Sequence, residues 1–304
     1  MSIIASKVTK LYGIQKALNE VSFSIPSGEI VGFLGPNGAG KSTMMKTITC
    51  YLPPSHGSVK VCGLDVMEQA LEVKKKVGYL PEHNPLYLDM WVKEYLEFIA
   101  GIYKLPKKKK RVKEMISLVG LEVEQQKKIG ALSKGYRQRV GLAQAMIHDP
   151  EVLILDEPTS GLDPNQLVEI RKLITNIGKE KTVMLSTHIM QEVEAICDRA
   201  IIINKGEIVA DEKVDALRQL SSKDTEIILV EFQDEIDDAE FKTIPGIKTI
   251  NKTSPRELEL VADGTIDVRA AVVKWSVENN KNIAGLSKKS MNMEEVFKQL
   301  TASK

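Results

Sequence analysis

The chain is poor in cysteine. It has only three in 304 residues, Cys50, Cys62 and Cys197, and no two of them are close in sequence. This spacing excludes the close pairs that bind zinc or exchange thiols. The three side chains are instead predicted to be buried small apolar groups in a protein that stays in a reducing compartment.

Excess charge and long apolar runs are also missing. Forty-two Lys and Arg residues against 41 Asp and Glu give a net charge of +1, so no overall field attracts the chain to nucleic acid or anionic lipid. Residues 1–10 lack the apolar core of a secretory signal. Apolar stretches such as residues 227–230 are far shorter than the roughly 18 to 20 residues that span a membrane. Any membrane role is therefore expected to require a partner.

Apolar strand-like runs alternate with helical patterns in the first two thirds of the chain. Each of three runs precedes a helical pattern, at residues 30–34, 152–155 and 183–186. This alternation predicts an α/β fold with a parallel sheet. Between the first two units, apolar residues recur every three or four positions, which predicts a helical subdomain over about residues 84–148, with Asp89 as the cap of its first helix.

A polar segment at residues 219–224 predicts the boundary between a domain of residues 1–218 and a C-terminal domain of residues 224–304. The C-terminal part has strand-like patterns followed by a helix with Val268, Val272 and Trp275 on one side. A short strand follows, and a last helix is expected to carry Met293, Val296, Phe297 and Leu300. These patterns predict a small α+β domain.

A P-loop motif lies between the first strand and the helix that follows it. It consists of Gly35, Pro36, Asn37, Gly38, Ala39, Gly40, Lys41, Ser42 and Thr43. Glycines let backbone N–H groups surround phosphates, and the helix directs its positive end toward them. We expect Lys41 to bridge the β- and γ-phosphates, Ser42 to bind Mg²⁺ and Thr43 to contact an inner phosphate. A chance glycine-rich turn is the alternative, and the flanking strand and helix disfavour it.

Two adjacent carboxylates, Asp156 and Glu157, end the apolar run at residues 152–155. Carboxylates at the end of a buried strand are costly unless they have a use. Asp156 is expected to hold magnesium, and Glu157 to orient and deprotonate an attacking water. An acidic strand-to-loop junction without a function is the alternative, and it is weak beside a P-loop.

These two motifs alone leave kinases, GTPases and motor ATPases open. Residues 132–140, LSKGYRQRV, distinguish between them because they resemble the signature of the ABC family. The resemblance implies that Ser133 and Gly135 bind the γ-phosphate of ATP held by the P-loop of a second subunit. Lys134 and Tyr136 depart from the usual Gly and Gln. Without the family, the segment is a helix capped by serine.

Further residues match the family in order and spacing. The segment from Ser160 to Asp163 resembles the D-loop along the dimer seam, His188 resembles the switch histidine that contacts the γ-phosphate, and Tyr12 matches the aromatic residue that stacks on adenine. Glu82 occupies the position of a glutamine that contacts Mg²⁺ and relays motion to the membrane subunit. A carboxylate is also a magnesium ligand.

The resemblance implies an ABC-type P-loop NTPase core with an inserted helical subdomain, and an ATPase that uses ATP and Mg²⁺. It further implies a homodimer that forms head to tail on ATP binding and powers a separate ABC-2 type integral membrane permease. The expected location is cytoplasmic, peripheral at the inner face of the cell membrane. The sequence is also similar to ATP-binding subunits associated with gliding motility.

Two other classes of protein also contain a P-loop. A soluble ABC ATPase acting on ribosomes or DNA usually has two ATPase units or a long coiled-coil insertion, and neither is present here; no nucleic acid partner is expected. A P-loop kinase leaves residues 132–140 unexplained. The basic run from Lys107 to Arg111 is interpreted as the solvated start of a helix rather than a nucleic-acid or lipid site.

Overall fold

A computed structural model describes residues 1–217, 226–236, 244–262 and 268–289, together with residues 294, 297 and 301. The chain divides into two compact units, Met1–Lys213 and Val214–Lys304. The polar segment predicted as the boundary, residues 219–224, lies outside the described residues. None of the helices in the described ranges is long and apolar enough to cross a membrane.

The first unit contains an antiparallel sheet that the sequence patterns did not predict. Its strands are β1 (Ile3–Tyr12), β2 (Gln15–Ile25), β4 (His56–Val61) and β5 (Leu64–Asp65), in the order β2-β1-β4-β5. In β2, Val21, Phe23 and Ile25 are buried and the serines between them are not. This alternation is typical of an antiparallel sheet with one buried face.

The second sheet is mainly parallel, as predicted. It is formed by β3 (Ile30–Leu34), β6 (Val77–Leu80), β7 (Val152–Asp156), β8 (Thr182–Thr187), β9 (Arg199–Asn204) and β10 (Glu207–Lys213). The order is β10-β9-β3-β8-β7-β6, and only the edge strand β10 is antiparallel to its neighbour. Every residue of β3, β7 and β8 is buried, as expected for central strands covered on both faces.

Four helices accompany the strands of this unit: α1 (Lys41–Ile48), α2 (Ala70–Lys76), α6 (Pro164–Gly178) and α7 (Met190–Ile196). Three more lie between β6 and β7: α3 (Val92–Ile102), α4 (Lys108–Leu118) and α5 (Lys134–Met146). Their buried faces, which include Val92, Leu96, Val112, Ile116 and Val140, belong to one apolar cluster. These three helices form the predicted inserted subdomain.

The predicted cap of α3 is wrong. The N-cap residue is Trp91 rather than Asp89, and the Trp91 backbone N–H donates to the Glu94 carboxylate at 3.4 Å. Trp91 pairs with Lys128 in extended conformation, and the Val92 N–H donates to the Lys127 carbonyl at 3.0 Å. Because this pairing holds Trp91 extended, the helix begins only at Val92.

The second unit contains an antiparallel sheet of β11 (Glu226–Phe232), β12 (Ile247–Ser254), β13 (Glu257–Ala262) and β14 (Ile283–Lys289), in the order β12-β13-β11-β14. Helix α8 (Arg269–Glu278) contributes Val272 and Trp275 to the core of this unit. The α+β class is confirmed. Of the predicted last helix, Met293, Val296 and Leu300 lie outside the described residues.

The basic run at the start of α4 contains one residue with a structural role. Arg111 donates from Nε to the Ile147 carbonyl and from Nη2 to the Met146 carbonyl, both at 2.9 Å. These carbonyls end α5, where a cation also interacts favourably with the helix dipole. Lys109, two residues earlier, is exposed.

We predict that Arg111→Ala lowers the free energy of unfolding by about 1–2 kcal/mol, because two charge-assisted bonds to the end of α5 are lost. The neighbouring change Lys109→Ala is the control and should have an effect within about 0.5 kcal/mol. Urea unfolding followed by circular dichroism measures both. Equal effects of the two substitutions would contradict the capping role of Arg111.

Candidate functional site

The site begins where β3, β7 and β8 end. Leu34 of β3 is paired with Thr187 of β8, and Asp156 of β7 is paired with Ser186 of β8. Parallel strands in this register bring the loops after all three strands to one edge of the sheet. The P-loop, the two adjacent carboxylates and the predicted switch histidine therefore meet there.

The P-loop connects β3 to α1 in a conformation that depends on glycine. Gly40, the N-cap of α1, has φ 111°, and a Cβ there would lie 2.4 Å from the Ala17 carbonyl oxygen. Only glycine accommodates both the positive φ and the close approach. The first N–H groups of a helix have no acceptor within it, so this turn can bind an anion.

Lys41 is folded against its own loop. Its Nζ donates to the carbonyls of Gly35 at 2.8 Å and Pro36 at 3.2 Å, and lies 3.7 Å from the Glu157 carboxylate. Burial lowers the pKa of Lys41, while the carboxylates of Glu157 and Asp156 oppose that change. The ammonium is thus held at the point where the P-loop meets the end of β7.

Asp156 is linked to the first turn of α1 and to the end of β8. Its Oδ1 accepts hydrogen bonds from the Ser42 hydroxyl at 3.1 Å and the Ser186 hydroxyl at 2.5 Å. A hydroxyl beside a carboxylate fits Mg²⁺, which takes oxygen ligands and usually keeps several waters. Residues 1–217 contain no cluster of three or more His, Cys, Asp or Glu side chains that could hold a metal. Phosphate oxygens and water would therefore have to complete the coordination.

Glu157 and His188 form a pair at the floor of the site. The His188 Nδ1 lies 3.0 Å from each carboxylate oxygen of Glu157. Burial raises the pKa of Glu157, and the hydrogen bond with His188 opposes this. Because an ionised carboxylate only accepts, Nδ1 carries the proton, and Nε2 is left for a ligand. A buried carboxylate with a raised pKa is suited to accept a proton from water.

Glu157 also has unusual backbone geometry. Its φ is +49°, a left-handed conformation that costs about 1–3 kcal/mol for residues other than glycine. The conformation is held by the Glu157 N–H, which donates to the Ser186 hydroxyl at 3.0 Å. In this conformation the Glu157 carboxylate lies within hydrogen-bonding distance of His188.

These groups open into a cleft of about 600 Å³. The predicted residues that line it are Tyr12, Asn37, Gly38, Gly40, Lys41, Ser42, Thr43, Glu82, Glu157 and His188. Asp156 lies beneath Ser42 and is only 2% exposed, Ala39 is buried, and Gly35 and Pro36 hold Lys41 through their carbonyls. Gln15 and Ala17 also line the cleft, and sequence reasoning missed them because they belong to no motif.

Three more predicted site residues, those at the starts of α5 and α6, are also absent from the cleft lining, all of which belongs to the fully described stretch 1–217. Ser133 caps α5 by accepting the Tyr136 N–H at 3.4 Å, and Asp163 caps α6 by accepting the Gln166 N–H at 2.9 Å. Gly135 packs so closely on the Gln166 side chain that a Cβ would lie 2.5 Å from it. A single chain therefore does not bring its own Ser133 and Gly135 to its P-loop.

The two departures from the family signature lie beside these residues. The Lys134 side chain extends to Gly161, where its Nζ would be 2.3 Å from an added Cβ. The Tyr136 side chain is 37% exposed, and its ring centroid lies 5.8 Å from the Arg139 guanidinium carbon. Both side chains thus have contacts of their own within the chain.

Sequence reasoning also missed Glu192 in α7. This side chain is 0% exposed, and its carboxylate accepts hydrogen bonds from the hydroxyls of Thr159 and Thr187. The buried Ile196 lies four positions after Glu192, so the two side chains share one face of the helix. An acidic residue on a buried helical face was the available signal.

Comparison with known proteins gives consistent matches. A family model described as ABC transporter matches residues 18–160. The ATP-binding protein NatA of Bacillus subtilis is 40% identical over 200 residues, which cover 64% of this chain and 81% of that protein. The linearmycin resistance ATP-binding protein LnrL of the same species is 34% identical over an alignment of 311 positions, gaps included, which covers 98% of this chain and 97% of that protein.

Two further matches agree. The bacitracin transport ATP-binding protein BcrA of Bacillus licheniformis is 34% identical over an alignment that covers 78% of this chain and 81% of that protein. Among solved structures, a dimeric ATP-binding cassette in a post-hydrolysis state with ADP and Pi has a TM-score of 0.65 and 28% identity, covering 70% of this chain and 98% of that chain. The fold of an ATP-binding cassette is thereby confirmed.

Proposed function

Because the chain belongs to the ATP-binding proteins of ABC transporters, and so binds and hydrolyses ATP to power a separate membrane permease, we propose that two copies close head to tail around two ATP molecules. The observation that carries this proposal is the separation of the two half-sites. The cleft holds the P-loop, while Ser133 and Gly135 lie outside it on α5 of the same chain. A second copy can supply the missing half.

In this proposal the cleft binds the nucleotide along its length. The half-exposed Tyr12 ring stacks on adenine, the P-loop N–H groups and Thr43 surround the phosphates, and Lys41 exchanges its loop carbonyls for the β- and γ-phosphates. Ser42, Asp156 and Glu82 are the residues that would hold Mg²⁺. When bound, the metal neutralises charge on the phosphate oxygens.

We assign hydrolysis to the pair at the floor of the cleft. Glu157 orients the attacking water and takes its proton, and its raised pKa makes it a better base than an ordinary glutamate. His188 contacts the γ-phosphate through Nε2. The partner's Ser133 and Gly135 contact the same phosphate, and Asp163 lies along the seam. When that phosphate leaves, the two copies separate, and Glu82 passes the motion to the permease.

The permease is proposed to be of the ABC-2 exporter type, with this chain on the cytoplasmic face of the membrane. The support comes from the two relatives whose names refer to linearmycin resistance and bacitracin transport. The alignment with the linearmycin resistance protein covers 98% of this chain and so includes the second unit. The similarity to gliding-motility subunits stays a prediction.

The substitution Glu157→Gln tests the proposal. It should lower the ATP turnover number by about 10² to 10⁴, because the base is lost, while the phosphate contacts remain. ATP with Mg²⁺ should then hold the variant as a dimer on size-exclusion chromatography with light scattering. Wild-type turnover in this variant, or a strict monomer that hydrolyses ATP, would contradict the proposal.

A mixing experiment tests the shared site. Chains with Lys41→Ala and chains with Ser133→Arg should each be inactive alone, because every site in either homodimer has one defect. A mixed dimer contains one site with an intact P-loop and an intact Ser133, so the mixture should recover ATPase activity. If dimers with one chain of each variant form and ATPase activity does not recover, the head-to-tail arrangement is ruled out.

The Glu157–His188 bond predicts a pH effect. Burial raises the pKa of Glu157 and the His188 bond lowers it, so His188→Ala should move the acid limb of the kcat/KM profile to higher pH. Activity then disappears earlier on acidification, because the base is protonated sooner. The control His56→Ala changes an exposed histidine on β4 and should leave the limb in place. A shift of the His188→Ala limb to lower pH would refute this coupling.

A further inference from the structure

Glu192 is a buried carboxylate with no cationic partner among the residues that the structure describes. It is 0% exposed, and within the described residues its side-chain partners are two hydroxyls, those of Thr159 and Thr187. A buried carboxylate is costly unless its oxygens are satisfied. Here each oxygen accepts one hydrogen bond, from Thr159 at Oε1 and from Thr187 at Oε2. Loss of either hydroxyl would leave one oxygen of this buried carboxylate unsatisfied.

The direction of these bonds can be worked out. The Thr187 Oγ1 accepts the Ile189 N–H at 3.1 Å, so its own proton is free to point to Glu192 Oε2 at 2.7 Å. An ionised carboxylate only accepts, so the Thr159 hydroxyl is also a donor. The two threonines thus hold one carboxylate between them.

The two threonines lie next to the proposed hydrolytic pair, one in the turn after β7 and one at the end of β8. Thr159 follows Glu157 by two residues, in a turn closed by the Ser160 N–H donating to the Glu157 carbonyl at 3.2 Å. Thr187 immediately precedes His188. Since Ser160 lines the cleft as well, the loop tied down by Thr159 contributes two cleft residues.

We propose that Glu192 is a positioning residue for ATP hydrolysis, whose carboxylate fixes the loop carrying Glu157 against the loop carrying His188 through Thr159 and Thr187. This inference rests on the assignment of Glu157 and His188 under the proposed function. Glu192 itself is buried beneath the two loops and is absent from the cleft lining, which lies wholly within the described residues 1–217.

The geometry explains why such a link affects turnover. Glu157 has left-handed backbone geometry and bonds to His188 at 3.0 Å, and small displacements of a catalytic group lower rates steeply. The groups proposed to bind nucleotide, among them Tyr12, Lys41 and Thr43, lie on β1, the P-loop and α1. Within residues 1–217, which are fully described, the Glu192 side chain bonds to Thr159 and Thr187 and to none of these elements. Its loss should therefore lower kcat and leave KM for ATP almost unchanged.

Loss of a buried hydrogen bond can also lower activity by destabilising the fold, so the test needs a control for that effect. Strand β8 provides one. Thr182 lies at the opposite end of the same strand as Thr187, is 2% exposed, and its hydroxyl bonds to the Ser2 hydroxyl at 2.9 Å and the Gly28 N–H at 3.0 Å. Thr182→Val removes a buried hydroxyl of the same kind, far from the cleft. It should lower the melting temperature without changing kcat.

The experiment compares ATPase kinetics of Thr159→Val, Glu192→Gln, the double variant and Thr182→Val in the purified full chain. Thr159→Val is nearly isosteric and is expected to fold, so it carries the test if Glu192→Gln does not. We expect it to lower kcat about tenfold with KM within about twofold. The double variant should lose much less than the product of the two single losses, because both changes break the same link.

Glu157→Gln is measured in the same assay to separate the two proposals. If it keeps wild-type turnover, the proposed function fails. If it is inactive while Thr159→Val keeps wild-type kcat, only the role of Glu192 is overturned. The same conclusion follows if Thr159→Val raises KM without lowering kcat, or if Thr182→Val lowers kcat equally.

Discussion

Asp156 accepts two hydroxyl hydrogen bonds at the end of β7, from Ser42 on α1 and from Ser186 on β8. These bonds hold together the ends of the three central strands, which the parallel register already brings to one level. Every other feature of the site depends on this alignment. The P-loop needs the end of β3, Glu157 needs the end of β7, and His188 needs the end of β8. If one of these strands moved by one residue, the side chains at its end would point to the opposite face.

The site also contains two buried ionisable groups of opposite sign. Lys41 and Glu157 are 6% and 7% exposed and lie 3.7 Å apart. Burial lowers the pKa of Lys41 and raises the pKa of Glu157, so it favours the neutral form of both side chains. A buried ion pair stabilises a fold poorly, so its presence here favours a functional explanation. The triphosphate that we propose for the cleft gives Lys41 a stronger partner. Glu157 can then hydrogen-bond to the attacking water. In the proposed complex the Lys41–Glu157 contact is thus replaced by a separate partner for each group.

The sequence was informative where function is local and poor where it depends on distant contacts. The P-loop and the Asp156–Glu157 pair are contiguous motifs on a strand-to-helix or strand-to-loop junction, and their neighbourhood followed from the order of elements. Glu192 was missed because its two threonines are 33 and 5 residues away and nothing local marks them. The antiparallel sheet was missed because the prediction rested on continuous apolar runs that precede helical patterns, whereas β1 and β2 mix buried and exposed residues. Asp89 failed as a cap because Trp91 is held extended by Lys128, a contact made 37 positions along the chain.

The separation of Ser133 from the cleft explains how one hydrolysis event could move a permease. A ligand shifts an equilibrium only by its differential affinity for the two states. If both halves of the site were in one chain, loss of the γ-phosphate would change only how tightly that chain holds nucleotide. In the proposed dimer the same phosphate joins the P-loop of one copy to the N-terminus of α5 in the other, so its loss weakens the interface itself. Glu192 acts on the other side of this phosphate, where it fixes the water-activating pair. The chemistry therefore stays within one copy, while its mechanical result appears between two.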